Sequence, residues 1–500
     1  MPIVITGFTS DDKVPGAVSE VKYGQSASRV SDIPRLCVIT GMQLAAGSVA
    51  VGVAKQVFSL DDAMDFWGEG SEAAFMAEAA LEVPGVNLWG IGTEEPAGGT
   101  VATAHYVLGG TWSTAGVLVL HVGGVIKEVA IASDDDLESA GDKVVAAIAE
   151  IPNLFCVPTH PGDDGDVILT TRNKGARSNL HIIHVDLTRA PAGLTCSITG
   201  GTALANGGKP FTGGGGVDDV ADFTTTAFPG WYQYIGSAHN DATNAALLET
   251  YLNDKAAPFE QRPEFAVLAH NVYATGLSVA QTTLNDPFCE MMMFEGSRAH
   301  PSRIAAVFAA LRSVTEAQDR TVLGNPNARY KDTKLPGILG YFSTADKPTR
   351  AELKVMLNSG LTPISDKNGE AVVVRAITTR CLNGSTPDYR VLDVGQAVTP
   401  QRVREHFDLK WETIHSVANE YVGPDKPGGE QAPEGMSTPK TWGAEILIDL
   451  REFERANLIT DVDNNLPTVE YSAAKRLMSD IPVSVAPLNY QTGTLIRQVG

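Results

Sequence analysis

The sequence predicts a multi-domain mixed α/β (α+β) protein, with a layered α/β core, an inserted β-rich domain and extended arms at both ends. Three observations carry this reading. The chain has 500 residues, which at ~150 residues per domain makes about three domains, each able to bury a core. Strand-like and helix-like patterns alternate from Gly216 to about Tyr341 and again from Thr349 to Thr379, the signature of a layered α/β body. Between about Gly98 and Gly208 the texture changes to short apolar runs separated by glycine pairs. The resulting division is 1–30 N-terminal arm, 31–97 first part of the core, 98–210 inserted β-rich domain, 211–345 α/β domain, 346–482 C-terminal core domain and 483–500 C-terminal arm.

Taken in order, Val14-Pro-Gly breaks the chain, and Ala17, Ser19, Val21 and Tyr23 then alternate with Val18, Glu20 and Lys22. That is a strand period without an adjacent partner, and a lone strand must pair elsewhere. Leu36 to Thr40 reads as the first core strand, Leu60 to Leu81 as a helix pair or broken helix opened by Asp61 and Asp62, and Asn87 to Ile91 as a second strand. Gly123-Gly124 joins Gly116–Val122 to Val125–Ile131 as a hairpin. Leu137 to Ile151 is a helix with Asp134, Asp135 and Asp136 at its positive end, burying Leu137, Val144, Val145 and Ile148. Strands follow at Val167 to Thr171, Leu180 to Asp186, Trp231 to Ile235 and Phe265 to Ala269, and helices at Asp241 to Asn253 and Pro301 to Val314.

The stretch from Asp332 to Arg380 has its boundaries written locally. Thr349-x-x-Glu352 is a capping box and Gly360 the left-handed terminator, so a helix runs to Ser359 with Leu353, Met356 and Leu357 on one face. Leu361-Thr-Pro-Ile and an Asp366 to Gly369 turn lead into Ala371 to Thr379, a strand apolar on both faces. Thr399 caps and Pro400 opens a further helix with Val403, Phe407, Trp411, Ile414, Ala418 and Tyr421 on one stripe. Gly423 to Thr438 is a proline- and glycine-rich loop, and Pro439 starts a helix packing Trp442, Ile446, Leu450 and Phe453. Pro487 and Gly493 confine Val483 to Val499 to an edge strand or an arm.

Composition narrows the function classes. With 43% hydrophobic and 19% charged residues the chain is globular, and a net charge of -21 argues against a nucleic-acid partner, which needs basic stripes. A solvated acidic surface keeps a self-assembling protein soluble. Five scattered cysteines without a C-x-x-C pair read as small hydrophobes in a reducing cytoplasm. No run approaches the ~18 residues of a membrane span, and the opening MPIVITGFTSDD does not show the basic-then-apolar pattern of a signal peptide, so no membrane insertion is expected.

Catalytic and ligand motifs fail one by one. Ala203 stands for the first glycine of a phosphate loop, and Pro210 follows Lys209 where a hydroxyl is required. Gly90-Ile-Gly92 meets Glu95 in place of the third glycine, and Gly276-Leu-Ser-Val-Ala280 lacks the last glycine of a nucleophile elbow. His181 and His184 stand at an odd spacing and cannot chelate together from a strand. Asp461-Val-Asp463 begins like a calcium loop but has Leu466 for the turn glycine and Ser472 for the bidentate glutamate. Asp163, Asp164 and Asp166 read as an exposed turn, Met291 to Met293 as core, and Trp231, Tyr232 and Tyr234 as packing. No catalytic residue, cofactor or metal is expected.

The order of these stretches resembles contractile tail sheath proteins, the phage Mu type in particular. Val14-Pro-Gly-Ala-Val-Ser-Glu matches that family's N-terminal arm. The glycine-bounded insert is similar to its middle domain, and Asp218 to Ile235 with Asp241 and Asn244, then Ile304 to Ala310, resemble the segments that precede an LPGI motif. "LPGI", a helix ending in "NSGLTPI" and a strand finishing in "VRAITT" are the most specific part. The resemblance implies a structural, non-enzymatic subunit that polymerises with itself as stacked hexameric rings around a tail tube. It implies contraction by lattice rearrangement that drives the tube through the host envelope. The implied partners are further copies, a tail tube protein, and baseplate and tail terminator proteins; the implied location is the virion, after assembly in the host cytoplasm.

Carried onto this chain, the resemblance makes Val14, Val18, Val21 and Tyr23, with Val483, Val485, Leu495, Ile496 and Val499, the arm residues that add to neighbours' sheets. Periodicity alone leaves open that both arms fold back onto their own subunit. The receiving sheet would include Ala371 to Thr379, with Val372, Val373, Val374 and Ile377 in its core strand and the LPGI and GLTPI segments as turns that position it. Pro439 to Leu458 would face the tube through Arg451 and Arg455, unless these are simply solvated. Alternatives are the sheath of a non-phage contractile injection system and an α/β hydrolase with a β accessory domain.

Overall fold

Helix starts follow the local caps. The Ser59 hydroxyl accepts from the Asp62 amide while Asp62 accepts from Ser59 N–H, and Gly68 at φ 86° ends the first turns. The Leu60 to Leu81 segment is therefore broken into two helices. The computed structural model describes residues 35–162, 164–225, 231–257, 260–317, 330–416, 418, 420–472 and 477–486. The chain opens with β1 (Cys37–Met42), β2 (Ala54–Val57), α1 (Leu60–Trp67), α2 (Glu72–Leu81) and β3 (Leu88–Thr93).

The insert follows as β4 (Val101–Gly110), β5 (Gly116–Val122), β6 (Val125–Ile131), α3 (Leu137–Ala149), β7 (Cys156–Thr159), β8 (Asp166–Lys174), β9 (Ile182–Asp186), β10 (Leu194–Thr199) and β11 (Lys209–Pro210). These form two four-stranded sheets, β10-β4-β8-β7 and β11-β9-β5-β6. The β5–β6 hairpin turns at Gly123 and Gly124, both at positive φ, as a two-residue turn requires. Val144 and Ile148 of α3 are buried, while Leu137 and Val145 are half-buried.

The chain then re-enters the core through α4 (Ala221–Thr224), β12 (Tyr234–Ser237), α5 (Ala242–Ala256), β13 (Phe265–His270), α6 (Tyr273–Ser278), β14 (Cys289–Met293) and α7 (Pro301–Ala317). It completes the sheet with β15 (Thr333–Leu339), α8 (Arg350–Asn358), β16 (Leu361–Lys367) and β17 (Glu370–Val373). Nine strands lie in the order β15-β17-β16-β14-β13-β12-β1-β3-β2. Pairing is parallel from β16 across to β3 and antiparallel at both rims. Because successive side chains alternate faces, Ile39, Val267 and Met292 pack against α2 and α7. Val38, Leu268 and Met291 pack against Leu248 and Leu252 of α5. Gly236 lets α7 lie directly on the sheet: a Cβ there would come 2.9 Å from Ala306 Cα. The sheet runs straight across position 346, so β16 and β17 belong to the same body as β12 to β14.

Several local expectations are corrected. The Ala371 to Thr379 strand ends at Val373, so of the four core-strand residues only Val372 and Val373 lie in the ladder. Val374 N–H donates to the Pro363 carbonyl at 3.0 Å, but Pro363 has no N–H to return. Arg375 then turns to bind Asp393 with two 2.7 Å bonds. Ile377 is held instead by the Thr362 hydroxyl, which accepts from its N–H at 2.9 Å and donates to its carbonyl at 3.0 Å. "LPGI" is not a turn but lies within β15, at the rim of the sheet beside β17. The GLTPI segment turns only at Gly360, and Leu361 already begins β16.

The C-terminal part is built on α9 (Val394–Lys410) and α10 (Pro439–Arg455). The first starts at Asp393 rather than Thr399, because Asp393 N–H donates to Gln396 Oε1 at 3.1 Å and Pro400 sits inside the helix. The apolar stripe stops at Trp411: the chain widens into a π-turn over Trp411–Ser416, and Tyr421 is 76% exposed in a short ladder with Met436. That ladder closes the 423–438 loop. Val403 and Phe407 meet Trp442, Ile446, Leu450 and Phe453 in a separate small core.

Candidate assembly surfaces

Val14, Val18, Val21, Tyr23, Leu495, Ile496 and Val499 lie outside the described residues. The described residues nearest both ends of the chain are held by specific contacts. At the start of the described chain, the Gln233 side chain accepts from Leu36 N–H at 2.8 Å, and Arg35 binds Glu405 of α9 at 2.9 Å. Glu405 accepts from Arg402 at 2.8 Å, and Arg402 donates to the Tyr234 hydroxyl at 3.0 Å. Tyr234 donates to Glu316 at 2.5 Å; Glu316 also holds Arg312 and Tyr330, each at 2.7 Å, and Arg312 pairs with Glu290. One continuous buried network therefore ties Arg35 and α9 to β12, β14 and α7. Burial raises the Glu290 carboxyl to about 7 against the pull of Arg312. Nothing in the helical or strand periods marks these residues; a buried charged set shows only once the fold is known.

Val483 and Val485, expected to add to a neighbour's sheet, pack on their own chain. Val485 bridges Ile459, Thr460 N–H donates to the Ser484 carbonyl at 2.8 Å and Ala486 N–H to the Leu458 carbonyl at 3.1 Å. Val483 packs on the α9–α10 core. Just before it stands an antiparallel pair, Thr468–Tyr471 with Leu477–Asp480, that the sequence reading missed, although Thr468-Val-Glu-Tyr alternates as a half-buried strand should. Val469 and Leu477 face α10, and Trp442 Nε1 donates to the Ser479 hydroxyl at 3.0 Å. Among the described residues neither strand of this pair has a third partner. An open groove of about 800 Å³ lies beside it, lined by Phe407, Trp411, Trp442, Leu477, Ile481 and Val483.

By contrast β17, with Val372 and Val373, has neighbours on both sides. Among the described residues the outer strands of the large sheet are β15 and β2. On α10, Arg451 and Arg455 share the exposed face opposite Trp442 and Leu450, beside Ile448, which is 65% exposed. Arg451 meets Asp463 at 3.0 Å, both side chains well solvated, so the pair adds little stability.

The insert is docked by a second buried cluster. Arg177 binds Glu72 of α2, with Nη2 to Oε2 at 2.7 Å, and grips Asp218 with both terminal nitrogens. His239 Nε2 lies 2.9 Å from Asp218, and Ser302 donates to Glu72 at 2.8 Å. Burial alone would raise both carboxyls, but the Arg177 guanidinium outweighs it and holds each below the usual range. Asn153 and Asn173 accept from the Gly70 and Glu72 amides, both at 2.7 Å. Among the described residues no group of three or more His, Cys, Asp or Glu is placed to hold a metal. His181 faces Phe155 and His300 while His184 faces His121 and Phe342, so the two do not converge. No helix is long and apolar enough to cross a membrane among the described residues.

Seen against known proteins, this chain is similar over nearly its whole length to a tail sheath protein of the Mu-like type. It is 23% identical over 476 residues to the Mu-like prophage FluMu tail sheath protein of Haemophilus influenzae, covering 93% of this chain and 92% of that one. Among solved structures, the sheath tail protein of Desulfitobacterium hafniense superposes with a TM-score of 0.48 at 12% identity, over 94% of this chain and 97% of that one. The sheath tail protein of Listeria innocua gives 0.48 at 10% identity, over 92% and 93%. No family model matches the chain.

Proposed function

We propose that this protein is the structural, non-enzymatic subunit of a contractile tail sheath. It polymerises with itself as stacked hexameric rings around a tail tube, contacts baseplate and terminator proteins at the ends, and contracts by lattice rearrangement to drive the tube through a host envelope. The observation that carries this is the near full-length similarity to a Mu-like prophage tail sheath protein. It would act in the virion after assembly in the host cytoplasm.

The arms, Val14 to Tyr23 and the segment beyond Ala486 with Leu495, Ile496 and Val499, supply strands to neighbouring subunits, while Val483 and Val485 anchor the second arm on its own chain. The Thr468–Tyr471/Leu477–Asp480 pair is the better receiving sheet than β17, because a two-stranded ribbon is marginal alone and its outer backbone groups suit strand addition. The groove beside it takes the inward side chains of an added strand. The network from Arg35 to Glu290 supports this reading, since load arriving on the N-terminal arm would pass into α9 and the central sheet together. The outer face of α10, with Arg451 and Arg455, is the proposed tube contact. Negative-stain microscopy of the purified protein tests the function: tubes or rings are expected, and discrete particles at every concentration and salt would favour a hydrolase-like monomer instead.

A further inference from the structure

Four of the chain's ten histidines line the seam between insert and core, in two groups. His181, just ahead of β9, stacks flat on Phe155 at 3.6 Å between centroids and lies 4.3 Å from His300, which precedes α7 of the core. Phe75 of α2 sets its edge to both imidazoles. In the second group His121 of β5 pairs directly across the ladder with His184 of β9, rings 5.3 Å apart. Both touch Phe342 of the core, and the Arg298 guanidinium lies 4.4 Å from the same ring.

Each group is arranged for neutral imidazoles. His300 Nε2 donates to the Arg177 carbonyl at 3.1 Å and its Nδ1 accepts from Ser302 N–H at 3.3 Å, which a proton on Nδ1 would break. Nδ1 of His121, His181 and His184 is buried without a hydrogen-bond partner among the described residues. The surrounding charge is mixed. His181 faces His300 and Arg303 of α7. His300 also faces Glu72 of α2, which favours its proton, and Arg177, Arg303 and His270, which oppose it. His121 and His184 face Arg298, partly offset by Asp186 of β9, and His184 also sees Asp346; Arg298 itself faces Asp366 and Asp346.

We propose that this seam is an acid-sensitive latch, in which protonation of the interfacial histidines releases the β-rich insert from the core. Two imidazolium ions 4–5 Å apart beside an arginine in a partly dry seam repel, and releasing the insert lets water solvate them. Burial, first among the causes, lowers all four histidines, His121 to about 4. The docked state therefore binds fewer protons than the released one. Docking is fully favoured above the ordinary histidine value of ~6.5 and is lost as pH falls from there towards about 4. Each histidine that gains a proton on release shifts the equilibrium about tenfold per pH unit. Glu72 and Asp218 are held below the usual carboxylate range, so they stay charged through most of that window.

The test uses the full chain, unassembled, with dyes on Glu128→Cys in the insert and Lys354→Cys on α8; all five native cysteines are buried. Energy transfer should fall reversibly between pH 6 and ~4.5 with far-UV circular dichroism unchanged. His181→Phe with His121→Gln, which keeps the stack on Phe155, should move the midpoint at least half a pH unit lower, by about threefold or more in the docking equilibrium at fixed pH. Imidazole carbon NMR of the native chain gives an independent reading: four resonances should titrate together with the loss of transfer. Constant transfer down to pH 4.5, an unshifted midpoint in the folded double variant, or four independent titrations near 6.5 would each overturn the latch.

Discussion

Replacing Arg177 by methionine keeps much of its apolar stem while removing the cation that two buried carboxylates share. Arg177, Glu72 and Asp218 are all below 10% exposed in their side chains, so water cannot replace the lost partner without opening the seam. Stripping one member from a buried ionic cluster costs about 3–5 kcal/mol. Expressed as an opening equilibrium, that is a loss of roughly 10²- to 10³-fold or more in amide protection. The assay is hydrogen exchange at β8 and β9, which flank Arg177, because a multi-domain chain of this size offers no single unfolding free energy. Glu72 and Asp218 are depressed in the native protein, so their stabilisation is complete above the ordinary carboxylate value of ~4 and is lost as pH falls from there towards the lower native values. In the variant the orphaned carboxylates take up protons instead, so the penalty at pH 5 should be smaller than at pH 7.5. Adding Glu72→Gln and Asp218→Asn to the variant should recover part of the protection. A change below about 1 kcal/mol at pH 7.5 would refute the docking role given to this cluster.

Three further outcomes follow from particular geometries. Val373→Asp places an unpaired charge at a fully buried position between β15 and β16; it should cost several kcal/mol and collapse exchange protection across the antiparallel rim, and an unchanged melting curve would contradict the placement. Gly360→Ala should destabilise by about 2 kcal/mol or more, since φ is +75° and the new Cβ would lie 2.6 Å from the Thr379 carbonyl oxygen; wild-type thermal stability would refute it. Arg451→Glu with Arg455→Glu should leave the fold and self-assembly intact while weakening co-assembly with a tube protein, read by co-sedimentation; undiminished co-sedimentation would remove α10 as the tube face.

Much of the fold was legible because it rests on local devices. The Thr349–Glu352 capping box, the Gly360 terminator, the Gly123-Gly124 turn and the stripe from Trp442 to Phe453 are each fixed within a few residues of sequence. What escaped depended on partners distant in the chain. Whether Val374 continues a strand is decided by a proline eleven residues earlier, at position 363, on the strand opposite. The start of α9 is decided by Asp393 and Gln396 rather than by the stronger-looking Thr399-Pro400 signal. The antiparallel pair at Thr468–Tyr471 and Leu477–Asp480 is short and half exposed, so it lacks the apolar run that drew attention to Ala371 to Thr379. The buried networks around Arg177 and Arg312 have no period at all, since their members come from separate strands and helices.

Removing residues 1–24 is the most direct test, because it takes away the proposed arm residues Val14 to Tyr23 while sparing Arg35 and its bond to Glu405. The expected result is a folded, soluble chain with unchanged circular dichroism that forms no tubes under conditions where the full-length protein does. Normal sheaths from the truncated protein in electron micrographs would contradict arm-mediated assembly.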